Sequence, residues 1–315
     1  MKIAFLFPGQ GSQYVGMCRD LFDKYDEVKK IFQTADRVLA FPLTDLIFNG
    51  KEEDLQLTYN AQPAILTASV ACAKLLEERG IFCDVAAGHS LGEYSALVAT
   101  GVVSFEDTVL SVRQRGHFMQ EAVPVGKGSM AAVMGLSGEN ISKICKEIEE
   151  KEKQIVEAVN FNCPEQIVIA GTVEGVEKAA TALKTAGAKR VIKLPVSAPF
   201  HSSLMRPAAE RLADVINSVK FSDAKVPVYA NVTAKTVQDK EDIKKLLVKQ
   251  AASPVLWQQS IENMLKDKVD TFVEVGPGRV LCGFLKRIAK DVNILHVEDE
   301  ESLAETVKFL KGAKA

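Results

Sequence analysis

Several absences narrow what this chain can be. Its six cysteines are scattered, and no two stand in a C-x-x-C pair. That usage argues against a disulfide scaffold or a zinc site and fits reduced thiols in the cytoplasm. No apolar run approaches the roughly 20 residues of a membrane span. The opening MKIAFLFPG carries one lysine and only a brief apolar run; it is too short for a signal peptide and reads as a first strand. Basic charge is not in excess: the formal net charge is −2, so no positive field points to nucleic acid. There is no G-x-x-x-x-G-K and no G-x-G-x-x-G, which removes the familiar phosphate and dinucleotide cradles. Internal repeats and low-complexity linkers are also missing. Asn231-Val232-Thr233 fits a glycosylation sequon, but without a secretion signal it reads as chance. What is present is an ordinary globular composition, 47% hydrophobic and 25% charged over 315 residues. That suits one large domain with an insertion, or two domains.

The most informative stretch is residues 85–99, VAAGHSLGEYSALVA. A short apolar run meets Gly88-His89-Ser90-Leu91-Gly92, and a helical pattern follows at once. G-x-S-x-G between a strand and a helix is the context of a nucleophile elbow. Such a sharp turn leaves no room for side chains beside the serine, so glycine sits on both sides. The turn lifts the Ser90 hydroxyl out at the strand's C-terminal edge. The helix start behind it offers N–H groups and a positive dipole end to a developing oxyanion.

In chain order, residues 3–7 read as a buried strand and 8–13, PGQGSQ, as a Gly-rich loop at its C-terminal end. Helical patterns follow over 26–38, 43–48 and about 61–79, the last closed by Gly80. Residues 104–107 resemble a capping box opening a helix to about 121. That helix carries Arg113 and Arg115. Two residues on a helix are about 200° apart, so at most one of them faces a site near Ser90. From 126 to about 195 the rhythm changes. Strands over 129–134, 155–161, 166–170 and 190–194 alternate with helices over 138–151 and 173–186. The order β-α-β-β-α-β is the ferredoxin-like pattern. The chain then returns through His201, with Ser202 or Ser203 capping a helix to about 219. Strands over 226–230, 271–275 and 293–297 are interleaved with helices over 239–251, 254–266, 279–289 and 300–310. Apolar strands alternating with helices imply a mostly parallel sheet covered on both faces. The expected fold is therefore α/β: an α/β-hydrolase-like, mostly parallel core (1–125 and 198–315) with an inserted ferredoxin-like subdomain (126–197). Sites in such sheets lie at the C-terminal strand ends, where the 8–13 loop, the Ser90 elbow and the Gly276–Gly278 loop all fall.

A nucleophilic serine needs a base, and there are four histidines. His89 adjoins Ser90 and is expected to point away; His117 is mid-helix; His296 is inside a strand. His201 lies in a loop before a helix and follows the serine in the α/β-hydrolase order. No Asp or Glu stands out as the third member. A backbone carbonyl can set the tautomer instead, so a Ser–His dyad is expected.

Five motifs then carry a resemblance over nearly the whole chain: GQGSQ, GHSLGEYSALVA, the QRG around Arg115, SAPFHSSLM around His201, and EVGPG. Together they resemble the malonyl-CoA:acyl-carrier-protein transacylases. The resemblance implies Ser90 as nucleophile and His201 as general base and acid. It implies the backbone N–H groups of Gln10 and Leu91 as the oxyanion hole and Arg115 as the clamp on the malonyl carboxylate. It gives the Gln250 carbonyl the task of orienting His201. Asn160 and Asn162 are implied to line the mouth, and Phe200 to narrow the acyl pocket against methylmalonyl. It implies a cytoplasmic enzyme of fatty acid synthesis, expected as a monomer. No cofactor or metal is implied; the substrates are malonyl-CoA and holo acyl carrier protein. Lys189, Arg190, Arg206, Lys286 and Arg287 are candidate contacts for an acidic carrier. Three alternatives remain open: a serine hydrolase passing its acyl group to water, a non-catalytic carrier-binding protein, and an acyltransferase of polyketide synthesis.

Overall fold

Ten strands are defined in the computed structural model, which describes residues 1–196 and 198–313. Ser197, the last residue of the expected insertion and the first of SAPFHSSLM, lies outside the described residues, as do Lys314 and Ala315. In chain order the strands are β1 (Ile3–Phe7), β2 (Val85–Gly88), β3 (Gly128–Met134), β4 (Val156–Cys163), β5 (Gln166–Thr172), β6 (Arg190–Lys193), β7 (Val228–Ala230), β8 (Lys235–Val237), β9 (Thr271–Val275) and β10 (Asn293–Val297).

Six of them form one sheet in the order β10-β9-β1-β2-β7-β8. Every pairing is parallel except β7 with β8. The α/β fold class read from the apolar strands is borne out. All five residues of β1 and of β9 are buried, because helices cover both faces and neither strand has a solvent side. One of these helices, Thr58–Glu78, is buried around most of its circumference. It begins three residues before the expected start and carries Pro63 inside. The edge strand β8, KTV, is polar and largely exposed, so no apolar pattern announced it. The short helices Arg19–Lys24 and Glu52–Gln56 each bury a single leucine, too little for a periodic signal.

The other four strands form an antiparallel sheet, β4-β5-β3-β6, which is the split βαβ arrangement. Helices Gly138–Glu152 and Val173–Thr185 cover one of its faces, through Ile141, Cys145, Val176, Ala179 and Leu183. Its other face, built on Met130, Ala132, Val159, Val168 and Ala170, meets Phe200 beside His201. Backbone bonds dock this sheet on the main body: Val255 donates to Val159 O at 2.7 Å and Phe161 to Val255 O at 3.0 Å. Arg287 reaches across as well, to Pro164 O at 2.6 Å.

Two local readings need correction. Neither Ser202 nor Ser203 caps the helix after His201. A 3-10 turn, Ser203–Met205, comes first, and the helix runs Arg206–Ser218 with Pro207 in its first turn. Proline there leaves no N–H to satisfy, and the Ser202 hydroxyl is spent on Pro199 O at 2.7 Å. At Ser104 the capping is half of a box. The hydroxyl accepts from Asp107 N–H, but the Asp107 carboxylate accepts from that same hydroxyl, not from the Ser104 backbone.

Candidate active site

β9, β1 and β2 are neighbours, so three loops converge at their C-terminal ends. The elbow after β2 is as tight as its glycines suggest. A Cβ on Gly88 would lie 1.8 Å from the Gly92 carbonyl carbon, and one on Gly92 would lie 2.0 Å from Phe7 O. Both are impossible contacts, which is why the motif needs glycine twice. Ser90 between them has φ +51°, a left-handed conformation that non-glycine residues adopt at some energetic cost. Its N–H is held by Asn231 Oδ1 at 2.7 Å, while Asn231 Nδ2 donates to Gly88 O at 2.7 Å.

His201 also sits in left-handed backbone, φ +65°. Its loop is clamped by Ser202 Oγ on Pro199 O and by Ser203 N–H on the Glu157 carboxylate. Ser90 Oγ and His201 Nε2 are 2.8 Å apart, and His201 Nδ1 lies 2.9 Å from Gln250 O. A carbonyl only accepts, so Nδ1 carries the proton and Nε2 is free to accept from the serine. Burial, reinforced by the Arg115 charge, lowers the His201 pKa to about 3, so the imidazole is neutral near pH 7.

Arg115 is fully buried. It is brought in by the helix Phe105–Glu121, which packs so closely on Thr58–Glu78 that a Cβ on Gly116 would lie 2.5 Å from Tyr59 Cα. Its Nη1 donates to Gln62 Oε1 at 2.8 Å; its Nη2 donates to Gln250 Oε1 at 2.9 Å and to Ser90 Oγ at 3.2 Å. Arg113 faces the other way, bonding Asn60 Oδ1 at 3.0 Å and lying over the Phe41 ring. The helical spacing thus separated the two arginines, and the packing chose Arg115.

Ser90, His201, Arg115, Gln10, Leu91, Asn160 and Phe200 line one cleft, completed by Gln62, His89 and apolar side chains. Its open space is about 100 Å³, room for a small group beside Ser90. The backbone N–H groups of Gln10 and Leu91 bond no described acceptor. Asn162 is not on the lining. Irregular register in β4 leaves it behind His89, whose Nε2 is 2.8 Å from its Oδ1. His89 in turn does not simply point away: its ring packs near Trp257 and also borders the cleft. His117 stacks on Tyr59 and takes no place on the lining. The five candidate carrier-binding cations are all exposed, with Lys189 paired to Glu165 and Arg287 bonded to Gln166 and Pro164. Among the described residues no cluster of His, Cys, Asp or Glu is placed to hold a metal ion, and no helix is long and apolar enough to cross a membrane.

Three residues of this site escaped the sequence: Gln62, Glu93 and Asn231. Gln62 is a polar residue within a buried apolar helix, which is a usable signal. Asn231 showed only as part of a sequon. Glu93 stands in the first turn of the elbow helix, yet it is buried and its pKa is raised to about 7 by that burial.

A serine on a strained elbow, a neutral histidine fixed by a carbonyl and a buried arginine beside the hydroxyl thus meet in one cleft of an α/β protein. The chain belongs to the acyl transferase family, whose acyl transferase domain matches residues 4–308, and is accordingly an acyltransferase. The malonyl CoA-acyl carrier protein transacylase of Bacillus subtilis is 49% identical over 310 residues, covering 98% of each chain. The solved acyl carrier protein S-malonyltransferase of Vibrio cholerae superposes with a TM-score of 0.94 at 44% identity, covering 97% of this chain and 100% of that one. A malonyl-transacylase solved in complex with its type II PKS acyl-carrier protein gives 0.95 at 44% identity, over 98% of this chain and 100% of that one.

Proposed function

We propose that this acyltransferase moves a malonyl group from malonyl-CoA to the phosphopantetheine thiol of an acyl carrier protein through a malonyl-serine, in support of fatty acid synthesis. The observation that carries the reading is Arg115: a buried guanidinium 3.2 Å from Ser90 Oγ, bonded by neutral amides and a hydroxyl, with a buried Nε that has no described partner. A carboxylate arriving with the acyl group would meet an arginine whose planar fork suits it. A serine hydrolase has no need of such a group, and the intact Ser90 and His201 argue against a non-catalytic binding protein.

The chemistry proceeds in two halves. His201 Nε2 takes the Ser90 proton as Oγ attacks the thioester carbonyl, and the N–H groups of Gln10 and Leu91 receive the oxyanion. The carbon–sulfur bond breaks, and coenzyme A leaves with the proton from His201. The carrier thiol then gives its proton to His201 and attacks the ester carbonyl; Ser90 leaves and recovers the proton. Ping-pong kinetics follow from the covalent intermediate. The malonyl carboxylate also acts on the base. By offsetting the Arg115 charge that lowers the His201 pKa, it makes the imidazole more basic when the correct donor is bound. An acetyl donor gives no such relief and leaves the arginine unpaired. The deciding experiment is intact-protein mass after brief mixing with malonyl-CoA, with Ser90→Ala as control. A gain of one malonyl group, stable in buffer and discharged by holo carrier protein, is expected. A gain that decays equally with and without carrier would mean a hydrolase.

A further inference from the structure

We infer that Glu93 is a positioning residue for acyl selectivity: as a buried hydrogen-bond acceptor it fixes the direction of the Gln250 amide, and through it the seat of the Arg115 guanidinium. The inference rests on the malonyl-transfer reading above and adds a determinant to it.

Glu93 is the second residue of the elbow helix Gly92–Ala99, where an acid ordinarily faces solvent. Here it is 3% exposed. Its Oε2 lies 3.0 Å from Asn231 N and 3.0 Å from Gln250 Nε2. A backbone N–H only donates, so Oε2 is an acceptor whatever the protonation of the carboxyl. Ser90 O also lies against Gln250 Nε2 and can only accept, so Gln250 presents its NH2 on this side and one of its hydrogens goes to Oε2. The second amide hydrogen goes to Ser90 O at 2.9 Å. With both N–H groups committed, Oε1 is the only atom left for Arg115, and it receives Nη2 at 2.9 Å. A reversed amide would set two donors against each other at Arg115 and two acceptors against each other at Ser90 O, and also at Glu93 when its carboxyl is ionised. Glu93 thus couples the elbow, through Asn231 and Ser90, to the arginine through Gln250. The acceptor is what the arrangement uses, so charge at Glu93 is dispensable.

The test compares kcat and KM for malonyl-CoA and acetyl-CoA, with holo carrier protein as acceptor, in wild type, Glu93→Gln and Glu93→Met. An amide can still offer an oxygen at the same place; a thioether offers only a weak acceptor. The expected result is a malonyl-to-acetyl ratio of kcat/KM that falls about tenfold or more in Glu93→Met, mainly through a higher KM for malonyl-CoA, and stays within about threefold of wild type in Glu93→Gln. Equal losses for both donors in Glu93→Met, or a Glu93→Gln as unselective as Glu93→Met, would overturn the inference. If Glu93→Met does not fold, Gln250→Asn carries the test. It keeps the backbone carbonyl on His201 but is one carbon too short to bridge Glu93 and Arg115. Its ratio is expected to fall likewise, and an unchanged ratio overturns the inference. A wild type that does not prefer malonyl overturns the malonyl reading and this inference together; a selective wild type unaffected by these variants overturns this inference alone.

Discussion

The two walls of the cleft are built differently. The wall from the six-stranded sheet and its helices is polar and nearly saturated: Ser90, His201, Arg115, Gln250, Glu93 and Asn231 bond one another at 2.7–3.2 Å. The wall toward the four-stranded sheet is Met130, Leu194, Val196 and Phe200, with Asn160 Oδ1 buried and without a described partner. A hydrogen-bonded network has few alternative arrangements, and breaking one member leaves buried donors orphaned. An apolar wall acts by shape, and its contacts can be traded one methyl at a time. The first wall therefore tolerates little substitution, whereas the second can be altered in small steps.

The largest break falls on the polar wall. Ser90→Ala should abolish acyl-enzyme formation by intact mass, and His201→Ala should slow loading by about 10³-fold or more. A His201→Ala enzyme that loads within tenfold of wild type would remove the dyad from the mechanism.

Arg115→Ala should come next. It should lower kcat/KM for malonyl-CoA by tens to thousands of fold, from a loss of about 2–5 kcal/mol, while acetyl transfer falls far less. A preference for malonyl that survives would end the clamp idea.

On the apolar wall the effects are smaller. Phe200→Ser should raise methylmalonyl-CoA use relative to malonyl-CoA by about tenfold, since one methyl group is worth about 1–3 kcal/mol of discrimination. If the ratio does not move, the ring does not set the pocket's width.

The smallest effect is on stability, and it again separates the walls. The unfolded chain protonates His201 near pH 6.5, whereas the folded protein resists until about 3. The unfolded state therefore binds the extra proton in that window, and stability contributed by the neutral buried histidine is lost as pH falls from about 6.5 toward 3. Glu93 has the opposite sign: burial raises its pKa to about 7, so the folded state holds the extra proton and stability falls as pH rises from about 4.5 to 7. Denaturant unfolding at pH 5 and 7 should show His201→Gln losing the first slope and Glu93→Gln losing the second. Phe200→Ser should leave both unchanged.

Much of this was readable from the chain. The β9 and β10 boundaries agree with the structure residue for residue, because short apolar strands between turn signals carry their own limits. Helix starts were less legible. At Thr58 and Arg206 no side-chain cap marks the start, so tertiary packing set the boundary. In the site, Ser90 was legible from local geometry and His201 from its loop and chain order. Gln10, Arg115 and Gln250 came only through the resemblance, and Gln62, Glu93 and Asn231 were missed, because an amide or a buried acid has no periodicity and its role depends on a partner far away in sequence. Glu93 and Gln250 are separated by 157 positions.

The sequence by itself determined the α/β alternation, the elbow with its two obligatory glycines, and the opposition of Arg113 to Arg115. Each follows from the spacing of neighbouring residues, which backbone geometry converts directly into direction. Arg115 was already singled out by its motif, and the tertiary structure turns it inward; only that structure decided that His89 borders the cleft with Asn162 behind it, and that Glu93 and Asn231 join the elbow to Gln250. Those facts depend on which helices pack against which. Close approaches such as Gly116 against Tyr59 are set by the assembled core, where burial presses most donors to find an acceptor that the local chain does not supply.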